Sequence, residues 1–271
     1  MVETIVYKNH LNETFDFGAN GVFVNESELH DYAWYITKKN NMIASIDYAI
    51  STRKLPVTII CASEEEGIAK RNALFEVAEK DVLALQYGRL CIGDYYFRCY
   101  VTKSVKKNYL TAKRYMTVTL TLTTDCPYWV KETSTVFTAG GAADGVDYPH
   151  DYAYDFGNDT VAKTIVNSGI VASPFRLAIN GPCINPAIYI AGHLYQVNVT
   201  VTEGQYLLID SAAKTVTLQA NDGTKTNVFN SRNKDSYIFE KIPSGVNSVS
   251  WTGNFVFEAT LLEERSEPKW I

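Results

Sequence analysis

The sequence predicts a mainly β chain of two domains with a single helix. Three observations carry that reading. Several stretches alternate apolar and polar residues with a period of two. The plainest is Met116–Thr123, where Val118, Leu120 and Leu122 fall on one side and Thr117, Thr119, Thr121 and Thr123 on the other. Aromatic residues make up 13% of the 271 residues, with 18 tyrosines and 12 phenylalanines, rings that suit pleated, half-exposed surfaces. Only the segment opening at Ser63 combines helical spacing with a start signal.

Residues 5–60 read as short strands and turns, ending in a β-branched run, Pro56–Ala62, expected to be a buried strand. Ser63 and Glu66 form a capping box, and Glu64 and Glu65 suit the positive end of a helix dipole. A helix is therefore expected over about Glu64–Asp81, and the three glutamates are read as capping rather than as a metal or catalytic cluster. Two strands follow, in DYYFRCYVTKSV and KRYMTVTLTLTT. Their junction carries Lys103, Lys106, Lys107, Lys113 and Arg114, interleaved with Tyr109 and Tyr115. Such a cluster suits nucleic acid. It equally suits a solvated hairpin tip whose lysines protect an edge strand, and that reading is preferred.

Periodicity stops over 136–158, where Pro, Gly, Ala and Asp dominate, so the domains are expected at 1–135 and 159–271 with a junction between. Asp144, Asp147, Asp151 and Asp155 match no calcium-loop spacing. Beyond the junction, turn signals such as Asn221-Asp222-Gly223 separate short strands, the pattern of a β-sandwich. Val197–Thr202, Tyr206–Asp210, Thr215–Leu218, Tyr237–Ile242 and Phe255–Glu264 are the expected strands. The stretch RLAINGPCINPAIYI reads as a hairpin around a Gly-Pro turn, with Arg176 a solvated strand residue.

Composition narrows function. The chain is 46% apolar and 20% charged, enough to build cores. Its net charge of −5 resides in the second half: residues 1–135 hold sixteen basic and sixteen acidic side chains, the remainder nine and fourteen. Neither half is basic, as a dedicated nucleic-acid binder would be. The five cysteines form no C-x-x-C pair and read as buried thiols of a reducing compartment. The N-terminus lacks an apolar leader and no long apolar run follows, so a soluble, cytosol-made protein outside the membrane is expected. His10, His30, His150 and His193 have no zinc-site spacing. No G-x-S-x-G elbow and no phosphate loop occurs. No enzyme activity, metal or cofactor is expected.

Three stretches carry a family resemblance. TVTLTLTTDCPYWV ends a strand in a polar–x–Pro–aromatic exit at Asp125, Cys126, Pro127 and Tyr128. INGPCINPAIYIAG places Asn185-Pro186 in a second-domain entry pattern. The segment from YLLIDSAAKTVTL to YIFEKIPSGVNSVSW supplies Asp210, Lys214 and Asn247, with a Pro243–Asn247 turn one residue longer than the tightest form. In this order they resemble the distal tail protein (Dit) family of long-tailed bacteriophages and prophages of Gram-positive bacteria, and EERSEPKWI resembles family C-termini. The resemblance implies a β-sandwich-like ring (belt) domain with one helix, then a galectin-like β-sandwich. It implies a homo-hexameric hub ring of the virion tail tip or baseplate, made in the bacterial host cytoplasm. Its partners would be the tail tube protein, the tail-associated hub protein and receptor-binding proteins, with tape-measure protein and DNA passing through. The basic segment would then face the lumen or a neighbouring ring. The alternative function is carbohydrate binding in host cell-wall recognition through the galectin-like domain. Tyr148, Tyr152, Tyr154 and Trp251 would be its sugar-stacking rings, where core or junction packing is the simpler role for them.

Overall fold

The computed structural model describes residues 5–18, 20–108, 113–138, 164–252 and 255–270. Contacts divide the chain into two units, one of residues 1–131 and 264–271, the other of 132–263. The division thus falls before the junction read from composition, and the last eight residues return to the first unit. Most of the expected junction lies outside the described residues.

The first unit is two sheets sharing one long strand. Strands β1 (Ile5–Lys8), β2 (Thr14–Phe17) and β3 (Val22–Val24) come first, then β4 (Tyr35–Lys39), β5 (Met42–Asp47) and β6 (Ser51–Ile60). Helix α1 (Glu64–Ala84) follows, then β7 (Gly88–Ile92), β8 (Tyr95–Lys107), β9 (Tyr115–Thr124) and β10 (Trp129–Phe137). The start of β8 lies between β7 and the first residues of β10, in a sheet that continues through β1 to β2. From Tyr100 onward, with a register shift at Val101/Lys103, β8 pairs with β9, which pairs with β6 and so with β3. Bulges of this kind bend a strand from one sheet into another. Tyr7, Phe17, Leu90 and Phe97 of one sheet and Val57, Ile59, Val118 and Leu120 of the other close a single core.

The helix begins where the sequence places it. The Ser63 hydroxyl accepts from the Glu66 amide at 3.1 Å, and the Glu66 carboxylate accepts from the Ala62 amide at 3.0 Å. It runs one residue short of a turn beyond the expected end, to Ala84, and stops at Leu85 in the left-handed region (φ 52°). Only Gly67, Leu74, Ala78 and Asp81 are buried along it.

The second unit is a β-sandwich. One sheet orders β19 (Lys225–Asn227), β18 (Thr215–Ala220), β17 (Gln205–Asp210), β12 (Phe175–Asn180) and β21 (Phe257–Arg265). The other orders β11 (Thr164–Asn167), β20 (Gly245–Thr252), β14 (Ala187–Ile190) and β15 (His193–Gln196), while β13 (Cys183–Ile184) pairs with β16 (Thr200–Val201). Phe175, Leu177, Ile209 and Phe257 meet Ile165, Ile188, Tyr195 and Val249 between the two.

Four local expectations are corrected. RLAINGPCINPAIYI is not a hairpin: β12 pairs with β17 and β21, whereas β14 pairs with β15 and β20, so the stretch crosses between the sheets. The crossing is tight, since a Cβ on Gly181 would lie 2.1 Å from the Thr202 carbonyl oxygen. Arg176 is half-buried and ion-paired with Glu132 rather than simply solvated. Tyr237–Ile242 forms turns, not a strand, although Ile238, Phe239 and Ile242 are buried, and only Thr200–Val201 of Val197–Thr202 is strand.

Candidate assembly surfaces

No group of three or more His, Cys, Asp or Glu that could hold a metal occurs among the described residues. No helix there is long and apolar enough to cross a membrane. One buried polar cluster stands out. Fully buried Asp81 accepts from the Tyr7 hydroxyl at 2.5 Å and from the His10 amide at 2.8 Å, and its carboxylate lies 2.6 Å from His10 Nδ1. Burial first, then the neighbouring Cys99 and the bond to Asp81, holds the Tyr7 phenol far above its usual range. Gly88 closes over the cluster, where a Cβ would lie 2.1 Å from the Tyr7 oxygen. A cluster sealed in this way ties β1 to α1 and offers nothing to a substrate.

The surfaces open to partners lie elsewhere. β4 and β5 form a two-stranded sheet of their own, joined to no other strand among the described residues. Ile36 lies opposite Ile46, and Lys38 opposite Ile43, with a register shift between Thr37 and Lys38. Opposed residues share a face, so the three isoleucines line one side. They are 46%, 52% and 61% exposed for Ile36, Ile46 and Ile43. Covering the three would recover roughly 3 kcal/mol of apolar burial. An isolated two-stranded hairpin is marginal in water, so what fixes this one is its base. There Trp34 stacks on Tyr48 at 4.5 Å, and Tyr48 tilts against Tyr128 at 5.4 Å. The Leu29 carbonyl accepts from Arg53 Nη1 at 2.6 Å and from Trp129 Nε1 at 3.2 Å. The Arg53 guanidinium lies 4.4 Å from the centre of the Phe97 ring. Burial pulls that guanidinium down to about 10. The segment leading into the hairpin is thus tied to the core at Leu29, exposed Trp34 and Tyr48 pack at the hairpin's base, and the hairpin beyond them is bare.

The basic segment divides. Lys103, Lys106 and Lys107 are exposed on β8. Lys103 lies opposite Thr121 and Lys107 opposite Thr117, on the threonine face of the sheet. Lys113 is 3.4 Å from Glu64, and Arg114 Nε donates to the Cys61 carbonyl at 3.2 Å. Lys103 and Lys107 therefore remain on the open threonine face, exposed Lys106 stands opposite Val118 on the reverse side, and the other two of the five cations serve local contacts.

In the second unit Trp251 is half-buried. Its ring meets Phe257 edge to face at 5.2 Å and Phe137 at 6.0 Å. Tyr148, Tyr152 and Tyr154 lie outside the described residues.

No family model and no curated protein sequence matches the chain. Solved structures do. The SPP1 Dit (gp 19.1) protein, described as a paradigm of the hub adsorption apparatus in Gram-positive infecting phages, aligns with TM-score 0.61 and 10% identity over 97% of this chain and 99% of its own. A chain of the phage P2 baseplate, activated with Ca, aligns with TM-score 0.65 and 14% identity over 99% of this chain and all of its own. The same baseplate activated with Sr gives 0.64 and 13% over the same shares. Across nearly its whole length the chain has the fold of these phage hub and baseplate chains.

Proposed function

We propose that the protein is a structural hub of a phage tail tip or baseplate, a Dit-like distal tail protein without enzymatic activity. In this reading six copies form a ring between tail tube and tail-tip proteins, and the second, galectin-like unit docks receptor-binding components. The observation that carries it is the rooted β4–β5 hairpin with a bare isoleucine face. A monomer gains nothing from displaying it, whereas a subunit of an assembly buries it. Likeness of fold to hub and baseplate proteins gives the kind of assembly. Lys103, Lys106 and Lys107 would face the channel or the next ring, where a few exposed lysines hold passing DNA only weakly.

Light scattering across a concentration series, with negative-stain images of the same fractions, tests the reading. Six-subunit particles with a central hole are expected. Replacing Ile36, Ile43 and Ile46 by serine should keep the circular dichroism spectrum and abolish the particles. Changing Lys103, Lys106 and Lys107 to glutamine should leave them intact. A protein that stays monomeric at every concentration and also when mixed with its tail proteins would refute the proposal.

A further inference from the structure

Resting on the assembly reading above, we infer where the hairpin goes: its isoleucine face seats on the outer face of helix α1 of the next copy of this chain, head to tail. A closed ring requires two different complementary patches on each subunit. The first unit carries a second bare apolar surface besides the hairpin. Ile68, Phe75 and Val82 recur every seven residues on α1 and so share one face. All three are exposed, Phe75 at 55%, and Leu83 beside them at 77%.

The two surfaces match in charge. The ridge from Ile68 to Val82 spans about 21 Å at the helical rise. The six residues of β5 span about 17 Å, and Ile43 to Ile46 about 10 Å, so the isoleucine face covers about half of the ridge. Glu76 and Glu79 border the ridge, exposed and without an ion-pair partner among the described residues. Lys38 shares the isoleucine face and Lys39 follows it at the tip, and both are equally free. Of the other charged residues near the ridge, Glu66 pairs with Lys70, Glu64 with Lys113 and Lys80 with Glu13, while exposed Glu65 at the helix start adds to the negative charge. Hairpin against hairpin would set lysines on lysines, whereas hairpin on helix pairs Lys38 and Lys39 with Glu76 and Glu79.

Charge exchange tests this. One variant carries Glu76→Lys and Glu79→Lys, the other Lys38→Glu and Lys39→Glu. Each alone should need at least about tenfold more protein to assemble, because like charges then meet at every contact. Mixed in equal amounts they should assemble again into rings of alternating subunits, since each hairpin then meets a helix of opposite charge. Circular dichroism checks that both fold. Rings from the helix variant alone at the ordinary concentration would overturn the head-to-tail contact while leaving the hub reading standing. So would failure of the mixture to recover. Absence of any assembly by the unaltered chain would overturn both. Should the helix variant assemble normally and the hairpin variant fail, the hairpin's partner is a different surface or a different protein.

Discussion

Two hairpins of the first unit look alike on paper and differ in kind. β4–β5 and β8–β9 are both antiparallel pairs with lysines toward their tips. The second belongs to a larger sheet: Met116, Val118, Leu120 and Leu122 of β9 are buried against the core while the threonines, with Lys103 and Lys107, take the other side. The first is a two-stranded sheet joined to no other strand among the described residues, and its isoleucines are about half exposed. Positive charge draws the eye to the second, but the first carries the larger unspent burial. For a protein that works by assembly, bare apolar surface on a rigid base is the stronger signal than a few solvated lysines.

That contrast can be pressed experimentally. The largest effect is expected at the root of the β4–β5 hairpin. Trp129→Ala removes a fully buried indole and its bond to the Leu29 carbonyl. It should cost about 3–5 kcal/mol in urea denaturation. Lys106→Ala on the other hairpin should stay within about 0.5 kcal/mol of the unaltered chain. Equal costs would mean that the two hairpins are supported alike.

A smaller effect belongs to the place where the return strand of β8–β9 passes the helix. Alanine for glycine within a helix ordinarily gains up to about 1 kcal/mol. At Gly67 the added Cβ would lie 2.2 Å from the Lys113 carbonyl oxygen. Gly67→Ala should instead lose about 1–3 kcal/mol, seen as a lower urea midpoint. A gain in stability would show that the return strand moves away freely.

The smallest effect is a pH slope from the root of β8. Burial, with the nearby Asp81, holds the Cys99 thiol far above its ordinary value of 9.0. Unfolded chains release that proton near pH 9, whereas the folded chain keeps it. Stability from this thiol is therefore complete below pH 9 and declines as pH rises beyond it. Melting temperatures from pH 7 to 10 should fall at the alkaline end, and Cys99→Ala should flatten the fall. An unchanged slope would assign the alkaline loss to other groups, such as the buried Tyr7.

Some of this was legible without coordinates. Ser63 and Glu66 mark the helix start because capping is local, and the alternation of Thr117–Thr123 marks a half-buried strand because side chains on a strand have a period of two. The limits have equally definite causes. YIFEKI alternates like a strand, yet Ile238, Phe239 and Ile242 reach the core from turns. Apolar spacing records which residues seek burial, not the backbone that delivers them. RLAINGPCINPAIYI reads as a hairpin because its two halves are adjacent in sequence, but their partners are β17, β21, β15 and β20. Arg176 reads as solvated because Glu132 is distant in sequence.

By itself, then, the sequence determined the β class, the position of helix α1 and the alternating faces of its clearest strands, all set by interactions within a few residues. Only the tertiary structure decided which apolar faces are covered. Ile59 is buried and Ile43 is bare although both sit in β-branched, strand-forming stretches. That difference is made by residues distant in sequence: Val22, on a strand paired to its own, lies directly opposite Ile59, while no strand beyond β4 joins β5.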